Sequence, residues 1–298
     1  MFKEISIIGL GFMGASIASS LKGLNQKIKI RGYDIDKKNL EYCILKGIVD
    51  SAIDFDGIRD DIRDNGKQFR MVLLCVPPNA VLTIFAKYRI YLENASLVTD
   101  IGGVKGFIVR DIKNKKCNLD SFVGSHPMCG SDKSGPEYAD PNLFKGKNCI
   151  VIKDDGDLLD EGRLKKIGKV ALFWNMLGMN IVYSTTGFHD NMVSYTSHLP
   201  HLIAFSLSRT VLNKIQKEKE KGAFNFIAGG FKDSTRIAAS SPDIWTDIFL
   251  MNSENIINSL DEFLSAANIF KGLLKKGDKE GLRGLIFGIS QERRNIAD

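Results

Sequence analysis

The chain has 298 residues, 44% hydrophobic and 26% charged, which is enough for two ordinary domains and falls in the range of a folded globular protein. No apolar run approaches the ~20 residues of a membrane span, and Met1-Phe2-Lys3-Glu4-Ile5 lacks the charged-then-apolar order of a secretory signal. The net charge of +6 sits partly in two basic runs, Lys113 to Lys116 and Lys217 to Lys221, without interleaved aromatics, which argues for solvated surface and against nucleic acid.

The first half alternates strand-like and helix-like segments. Ile5–Gly9 is an apolar run ending in glycine, and Phe12–Leu24 follows as a helix with Ile17, Leu21 and Leu24 on one face. Ile28–Asp34 reads as a strand, Lys37–Lys46 as a helix stopped by Gly47, and Met71–Val76 as a buried strand closed by Pro77-Pro78. Leu97–Asp100, Phe122–Ser125 and Cys149–Ile152 are further strands, Leu158–Leu177 a long helix, and Asn180–Tyr183 a last strand. This rhythm predicts an α/β fold: a Rossmann-type parallel sheet with helices on both faces. After Thr185-Thr186 the pattern is helical only, over His189–Ile215, Phe231–Ala239, Pro242–Leu274 and Lys279–Arg294. The expected division is therefore 1–184 for a dinucleotide-binding domain and 185–298 for an all-α domain. The five cysteines, Cys43, Cys75, Cys117, Cys129 and Cys149, form no CxxC pair, so reduced thiols and a cytoplasmic location are expected.

Gly9-Leu10-Gly11-Phe12-Met13-Gly14 is a GxGxxG turn between a strand and a helix, with Asp34 at the end of the next strand. Together these are the dinucleotide fingerprint. Gly9 makes the turn, Gly11 admits the pyrophosphate backbone-close, Gly14 lets helix and strand pack, and the helix N-terminus attracts the phosphates. Asp34 accepts from ribose hydroxyls and repels a 2′-phosphate, which favours NAD over NADP. A flavin in the same fold is the weaker alternative. Val76, Pro77 and Asp100, at the carboxyl ends of later strands, are expected to complete the cofactor site.

His126, in Gly124-Ser125-His126-Pro127-Met128, follows a strand on the same edge. A histidine there suits a general base toward a hydroxyl that loses hydride, with Ser125 beside it as a substrate contact. His198 and His201 share a helix face, and Pro200 between them removes a helix hydrogen bond and should kink the helix. His189 lies about half a helical turn round from His198, so the three do not converge on a straight helix. The HxxH pair has no evident third ligand, and no metal is expected. Lys232, Asp233 and Arg236 follow Gly229-Gly230; Arg236 offers a bidentate fork for a carboxylate, or only an ion pair with Asp233.

In these motifs the chain resembles the bacterial prephenate dehydrogenases over nearly its whole length. The matching pieces are Gly9–Gly14 with Asp34, Val98-Thr99-Asp100, Val104-Lys105-Gly106, His126-Pro127-Met128, Lys133-Ser134-Gly135, Ser197-His198-Leu199-Pro200-His201, and Phe231–Ala238 followed by Trp245. The resemblance implies NAD as cofactor and prephenate as substrate, oxidised and decarboxylated to 4-hydroxyphenylpyruvate, carbon dioxide and NADH for tyrosine biosynthesis. It implies that His126 is the catalytic histidine, that Arg236 and His201 bind substrate with Lys232 nearby, and that Asp132 pairs with the arginine and gates the site. It also implies a homodimer through the helical domain, with Asp233 and Trp245 near the interface. Arogenate, with an amino-acid side chain and the same ring chemistry, is the alternative substrate. The 3-hydroxyacid dehydrogenases share the glycine-rich start but use a catalytic lysine in place of the SHLPH and HPM pieces. A non-catalytic NAD-sensing protein would leave His126, His201 and Arg236 without a role.

Two departures stand out. Asp100-Ile101-Gly102-Gly103-Val104-Lys105 has Gly103 where the family pattern has serine, so a hydroxyl near the nicotinamide is missing and a water, Ser125 or Ser131 is expected to replace it. Cys129 replaces the usual alanine after HPM, and its position three residues after His126 suggests sensitivity to thiol reagents.

Overall fold

The computed structural model describes residues 2–24, 27–55, 70–114, 120–130, 133–217 and 222–296. Both basic runs fall largely outside them, as do Cys117, Ser131 and Asp132.

Strand β1 (Glu4–Ile8) sits at the centre of a five-stranded parallel sheet, paired with β2 (Lys29–Tyr33) on one side and β4 (Arg70–Leu74) on the other. β3 (Ser51–Ala52) and β5 (Leu97–Asp100) complete the order β3-β2-β1-β4-β5. Ile5, Ile7, Ile8 and Met71 to Leu74 are fully buried, as expected for strands covered on both faces. Helices α1 (Phe12–Gly23) and α2 (Lys37–Leu45) follow β1 and β2, and α3 (Pro78–Lys87) and α4 (Arg89–Glu93) follow β4. Helix α5 (Gly106–Asn114) follows β5. Pro78 opens α3, where its missing N–H costs nothing.

The later strands depart from the single parallel sheet that their sequence suggests. β6 (Ser125–Pro127) runs antiparallel to β7 (Asn148–Ile152), which is parallel to β8 (Asn180–Ser184), and these three form a separate sheet. A bridge between Val98 and Phe122 joins this sheet to β5. Helix α6 (Glu161–Met176) packs its Val170, Phe173 and Trp174 into the main core. The segment ahead of it, read as helix from Leu158, is a 3-10 turn over Asp155–Leu159 closed by an Asp154 capping box.

Beyond Ser184 the regular elements among the described residues are all helical. Thr185 caps α7 (Thr186–Val193) by accepting from Phe188 N–H. A π turn spans Ser194–His198, just before Pro200, and α8 (Leu199–Lys217) continues the axis. α9 (Gly229–Thr235) runs into a 3-10 turn over Arg236–Ala239. The expected single helix from Pro242 is divided at Asn252 into α10 (Pro242–Met251) and α11 (Ser253–Lys276), before α12 (Lys279–Arg294). Asn252 departs from helical geometry because its side-chain amide is drawn inward to the Asp190 carbonyl, 2.8 Å away.

Candidate active site

The glycine turn after β1 is built as its spacing requires. Gly9 has φ +97°, and a Cβ there would stand 2.2 Å from the Cys75 carbonyl oxygen. A Cβ on Gly14 would stand 1.9 Å from the Gly9 carbonyl oxygen, whereas Gly11 faces open space, the room a pyrophosphate needs. Leu10 and Phe12, read as cofactor contacts, have buried side chains, and Leu10 N–H is already given to Asp34 Oδ2 at 2.6 Å. What the start of α1 presents to an anion is its backbone, at Phe12 and Met13. Asp34 also accepts from Asp36 N–H at 2.8 Å, which orients its carboxylate at the lip of a cleft of about 560 Å³. Val76, Pro77, Thr83, Lys87 and Tyr88 line the same cleft, with Gly9, Gly11 and Asp34. The Tyr88 and Tyr33 hydroxyls lie 3.1 Å apart, and their hydrogen bond, with burial, pushes Tyr33 up to about 12.

Asp100 and Ser125 do not take the places expected of them. Asp100 is fully enclosed: Oδ2 pairs with the buried Lys105 ammonium and accepts from Gly102 N–H. Its carbonyl takes the Ser125 hydroxyl proton at 2.7 Å, and Trp174 Nε1–H donates to the same Ser125 oxygen at 2.9 Å. Thr99 Oγ1 lies 2.8 Å away as well, so the Ser125 hydroxyl is saturated by protein and is not offered to a substrate. The two residues instead tie β5 to β6 and so hold His126.

His126 is presented by β6 with its Nε2 edge toward Gly103, where an added Cβ would stand 3.8 Å from Nε2. Its Nδ1 lies 2.9 Å from His189 Nε2, and His189 Nδ1 lies 2.8 Å from Asp190 Oδ1. Asp190 accepts two backbone N–H groups at the start of α5, Lys105 at 2.9 Å and Gly106 at 2.7 Å. These contacts, with hydrogen bonds to His189, hold its carboxyl below the usual range despite burial. Burial, then the proximity of His189, Lys105 and His198, holds His126 well below the ordinary histidine value, so it is neutral and able to accept a proton at physiological pH. His198 is buried too, pushed down to about 4, with Nδ1 3.1 Å from the Asn252 amide nitrogen. His189 and His198 thus share one interior with His126. A π turn advances less rotation per residue than an α turn, which cancels part of the half-turn offset expected of a straight helix.

On the helical side, His201 Nδ1 lies 2.9 Å from the Ser197 carbonyl, and its ring stacks on Trp245 at 3.5 Å between centroids. Trp245 in turn meets His198 edge-on at 6.1 Å. The Arg236 charge lies close enough to lower the His201 pKa, although burial contributes more. Arg236 and Lys232 are exposed, as an entering carboxylate requires. Asp132, expected as the gate, lies outside the described residues. Cys129 is not activated: burial pushes its thiol up to about 11, opposite to the reactive thiol expected. His189 and Asp190 carried a signal in the sequence, a His-Asp pair in the first turns after the Thr185-Thr186 cap, but nothing in their spacing linked them to His126.

Two family models match the chain. One, described as the nucleotide-binding domain of prephenate dehydrogenase, covers residues 17–182, and the other, the dimerization domain of prephenate dehydrogenase, covers residues 185–286. The first match begins beyond the Gly9–Gly14 turn, so the fingerprint is independent of it. A cyclohexadienyl dehydrogenase of Zymomonas mobilis is 30% identical over 267 residues, 89% of this chain and 86% of that protein. A prephenate dehydrogenase of Bacillus subtilis is 29% identical over 95% of this chain and 73% of its own length. The crystal structure of prephenate dehydrogenase from A. aeolicus, solved with hydroxyphenyl propionate and NAD+, superposes with a TM-score of 0.84 at 34% identity, covering 100% of this chain and 99% of that one. A cleft shaped for a dinucleotide, a half-buried histidine facing Gly103 and both family models point the same way, and the chain belongs to the prephenate dehydrogenase family.

Proposed function

We propose that this protein is an NAD-dependent prephenate dehydrogenase that converts prephenate to 4-hydroxyphenylpyruvate and carbon dioxide. The observation that carries this reading is His126: a histidine held neutral by burial, with one ring edge free toward Gly103 and the other engaged in the interior. NAD, which the Gly9–Gly14 turn and Asp34 would hold, would supply the acceptor for the hydride of the hydroxyl-bearing ring carbon. His126 Nε2 accepts the hydroxyl proton as that C–H bond breaks. The bond to the ring carboxylate then breaks, its electron pair enters the ring, carbon dioxide leaves, the ring becomes aromatic, and the phenolate oxygen takes its proton back from His126. Arg236 supplies a planar fork for a substrate carboxylate, with Lys232 adding charge and the His201–Trp245 stack a rigid wall. Asp34 reads the ribose hydroxyls and excludes a 2′-phosphate. Pairing of Asp132 with Arg236 as a gate remains part of the reading drawn from the family resemblance.

The division at 184/185, a homodimer through the helical unit and a cytoplasmic location belong to the same proposal. The match to a dimerization domain and the four described cysteines, all free thiols, support it. No described helix is long and apolar enough to cross a membrane. Arogenate, which offers the same ring chemistry, is the second substrate to test.

The deciding experiment follows NADH at 340 nm with prephenate and with arogenate. Turnover of prephenate is expected, with NADP poorer than NAD by roughly a hundredfold, the effect of like charges brought together at Asp34. His126→Asn should keep NAD affinity and lose ~10²-fold or more in kcat. No turnover of either substrate, or an active His126→Asn enzyme, overturns the reading.

A further inference from the structure

The base stands on a strand of the second sheet, yet its inner nitrogen is met by a residue of the helical region. We propose that His189 and Asp190, on α7, are positioning residues that hold His126 in the tautomer whose Nε2 is free to accept the substrate proton. This rests on the reading of His126 as the base.

The assignment follows from the order of donors and acceptors. An ionised carboxylate only accepts, so the 2.8 Å contact between Asp190 Oδ1 and His189 Nδ1 puts the His189 proton on Nδ1. On a ring that carries a single proton, His189 Nε2 is then an acceptor. The 2.9 Å contact to His126 Nδ1 then requires that nitrogen to donate. One proton on the neutral His126 ring leaves Nε2 bare, on the edge that faces Gly103. Asp190 is fixed in turn by Lys105 and Gly106 N–H, and a Cβ at Gly106 would stand 2.8 Å from its Oδ2, so the carboxylate has little freedom to rotate.

The titratable groups around His126 agree. His189 comes from α7, His198 from the π turn, Lys105 from the loop after β5, and Cys149 from β7. The Lys105 ammonium is committed to Asp100 and the Cys149 thiol is pushed up by burial, which leaves Asp190 as the anionic end of the row. When Nε2 takes the proton, the imidazolium keeps its Nδ1–H bond to His189, and the Asp190 charge lies in line behind it. Gly103 brings no hydroxyl to steer the ring from the substrate side, so in this chain the inner row carries that task.

The test uses the full-length protein and reads the pH dependence of kcat for His189→Phe, which keeps a buried ring but removes both nitrogens. The plateau kcat should fall roughly ten- to a hundredfold with KM for NAD unchanged. The acid limb should move to lower pH, because the charged ring has lost the acceptor of its Nδ1 proton. His189→Gln, whose amide both accepts and donates, should recover most of the plateau. A merely structural role would lower the yield of folded enzyme and leave the limb in place. If His189→Phe does not fold, the same readings on His189→Asn, too short to span the row, decide. A plateau within twofold of wild type and an unmoved limb overturn the proposal. That result together with an inactive His126→Asn sinks the relay alone, whereas an active His126→Asn sinks the assignment of the base.

Discussion

Between Phe2 and Ser184 the described buried side chains are mostly apolar, in two clusters on the two faces of the parallel sheet. Beyond Ser184 the described buried apolar residues are Val193, Ala204, Ile248 and Ile256, and the polar ones are His189, Asp190, Ser194, His198, Asn252 and Ser259. The helical region therefore turns chemistry inward and leaves its apolar surface outside: Leu250, Ile257, Ile269, Leu274, Ile286 and Phe287 are all more than half exposed. A sheet covered on both faces completes its own core. A few helices around a polar interior do not, and their stability depends on burying those outer residues against something else. Residues 185–286 of this region match a model described as a dimerization domain.

That contrast is best broken at Lys105. Its ammonium is buried among the sheet residues and neutralises Asp100, so Lys105→Met leaves a buried carboxylate without its partner. A loss of about 3–5 kcal/mol is expected from the urea midpoint, since removing one member of a buried pair costs far more than the pair contributes. A loss below 1 kcal/mol would mean that Asp100 finds a proton or water instead.

In the helical region a surface substitution should act on assembly. Phe287→Asp replaces an exposed apolar ring with a charge, and on the proposed dimer interface that loses on the order of 2 kcal/mol per protomer. Sedimentation at micromolar concentration should then show monomer. A dimer indistinguishable from wild type would move the interface away from α12.

A smaller effect is expected from Arg236→Lys, which keeps the charge and loses the fork. KM for prephenate should rise by the equivalent of ~1–3 kcal/mol with kcat little changed. If KM stays within twofold, Arg236 is a surface ion pair, with Asp233 its nearest acidic neighbour in sequence.

The smallest effect belongs to Gly103→Ser. A Cβ there meets only His126 Cε1 and Nε2, at 3.7 and 3.8 Å, which is ordinary contact. Ser125 is saturated and does not stand in for the missing hydroxyl, which leaves a water or Ser131, the latter outside the described residues. A serine that displaces such a water should leave kcat/KM within about threefold. A loss above tenfold with the fold intact would point to a cofactor contact that only glycine permits.

Local chemistry was readable along the chain because its signals are local. The glycine turn, Asp34, the Thr185 cap and the run of apolar strands each depend on a few neighbouring residues, and each appears where its spacing puts it. His126 is the exception: expected just after a strand of the parallel sheet, it lies within the short antiparallel β6 of the second sheet. Contacts between distant segments were not readable. Periodicity reports which face of a strand is buried but not which neighbour it pairs with, so the antiparallel β6 and the second sheet are decided by tertiary packing. Asp100, Ser125 and Cys129 were misjudged for the same reason: their neighbours in space, Lys105, Trp174 and the core, saturate or bury them. The row Asp190–His189–His126 joins residues 63 apart in sequence, and the π turn that brings His198 to it leaves only Pro200 as a trace. Sequence alone determined what each segment could form and which cofactor the first turn admits. Tertiary structure decided which polar groups are left free, because a hydrogen bond is satisfied by whatever the fold brings within 3 Å, however far along the chain it lies.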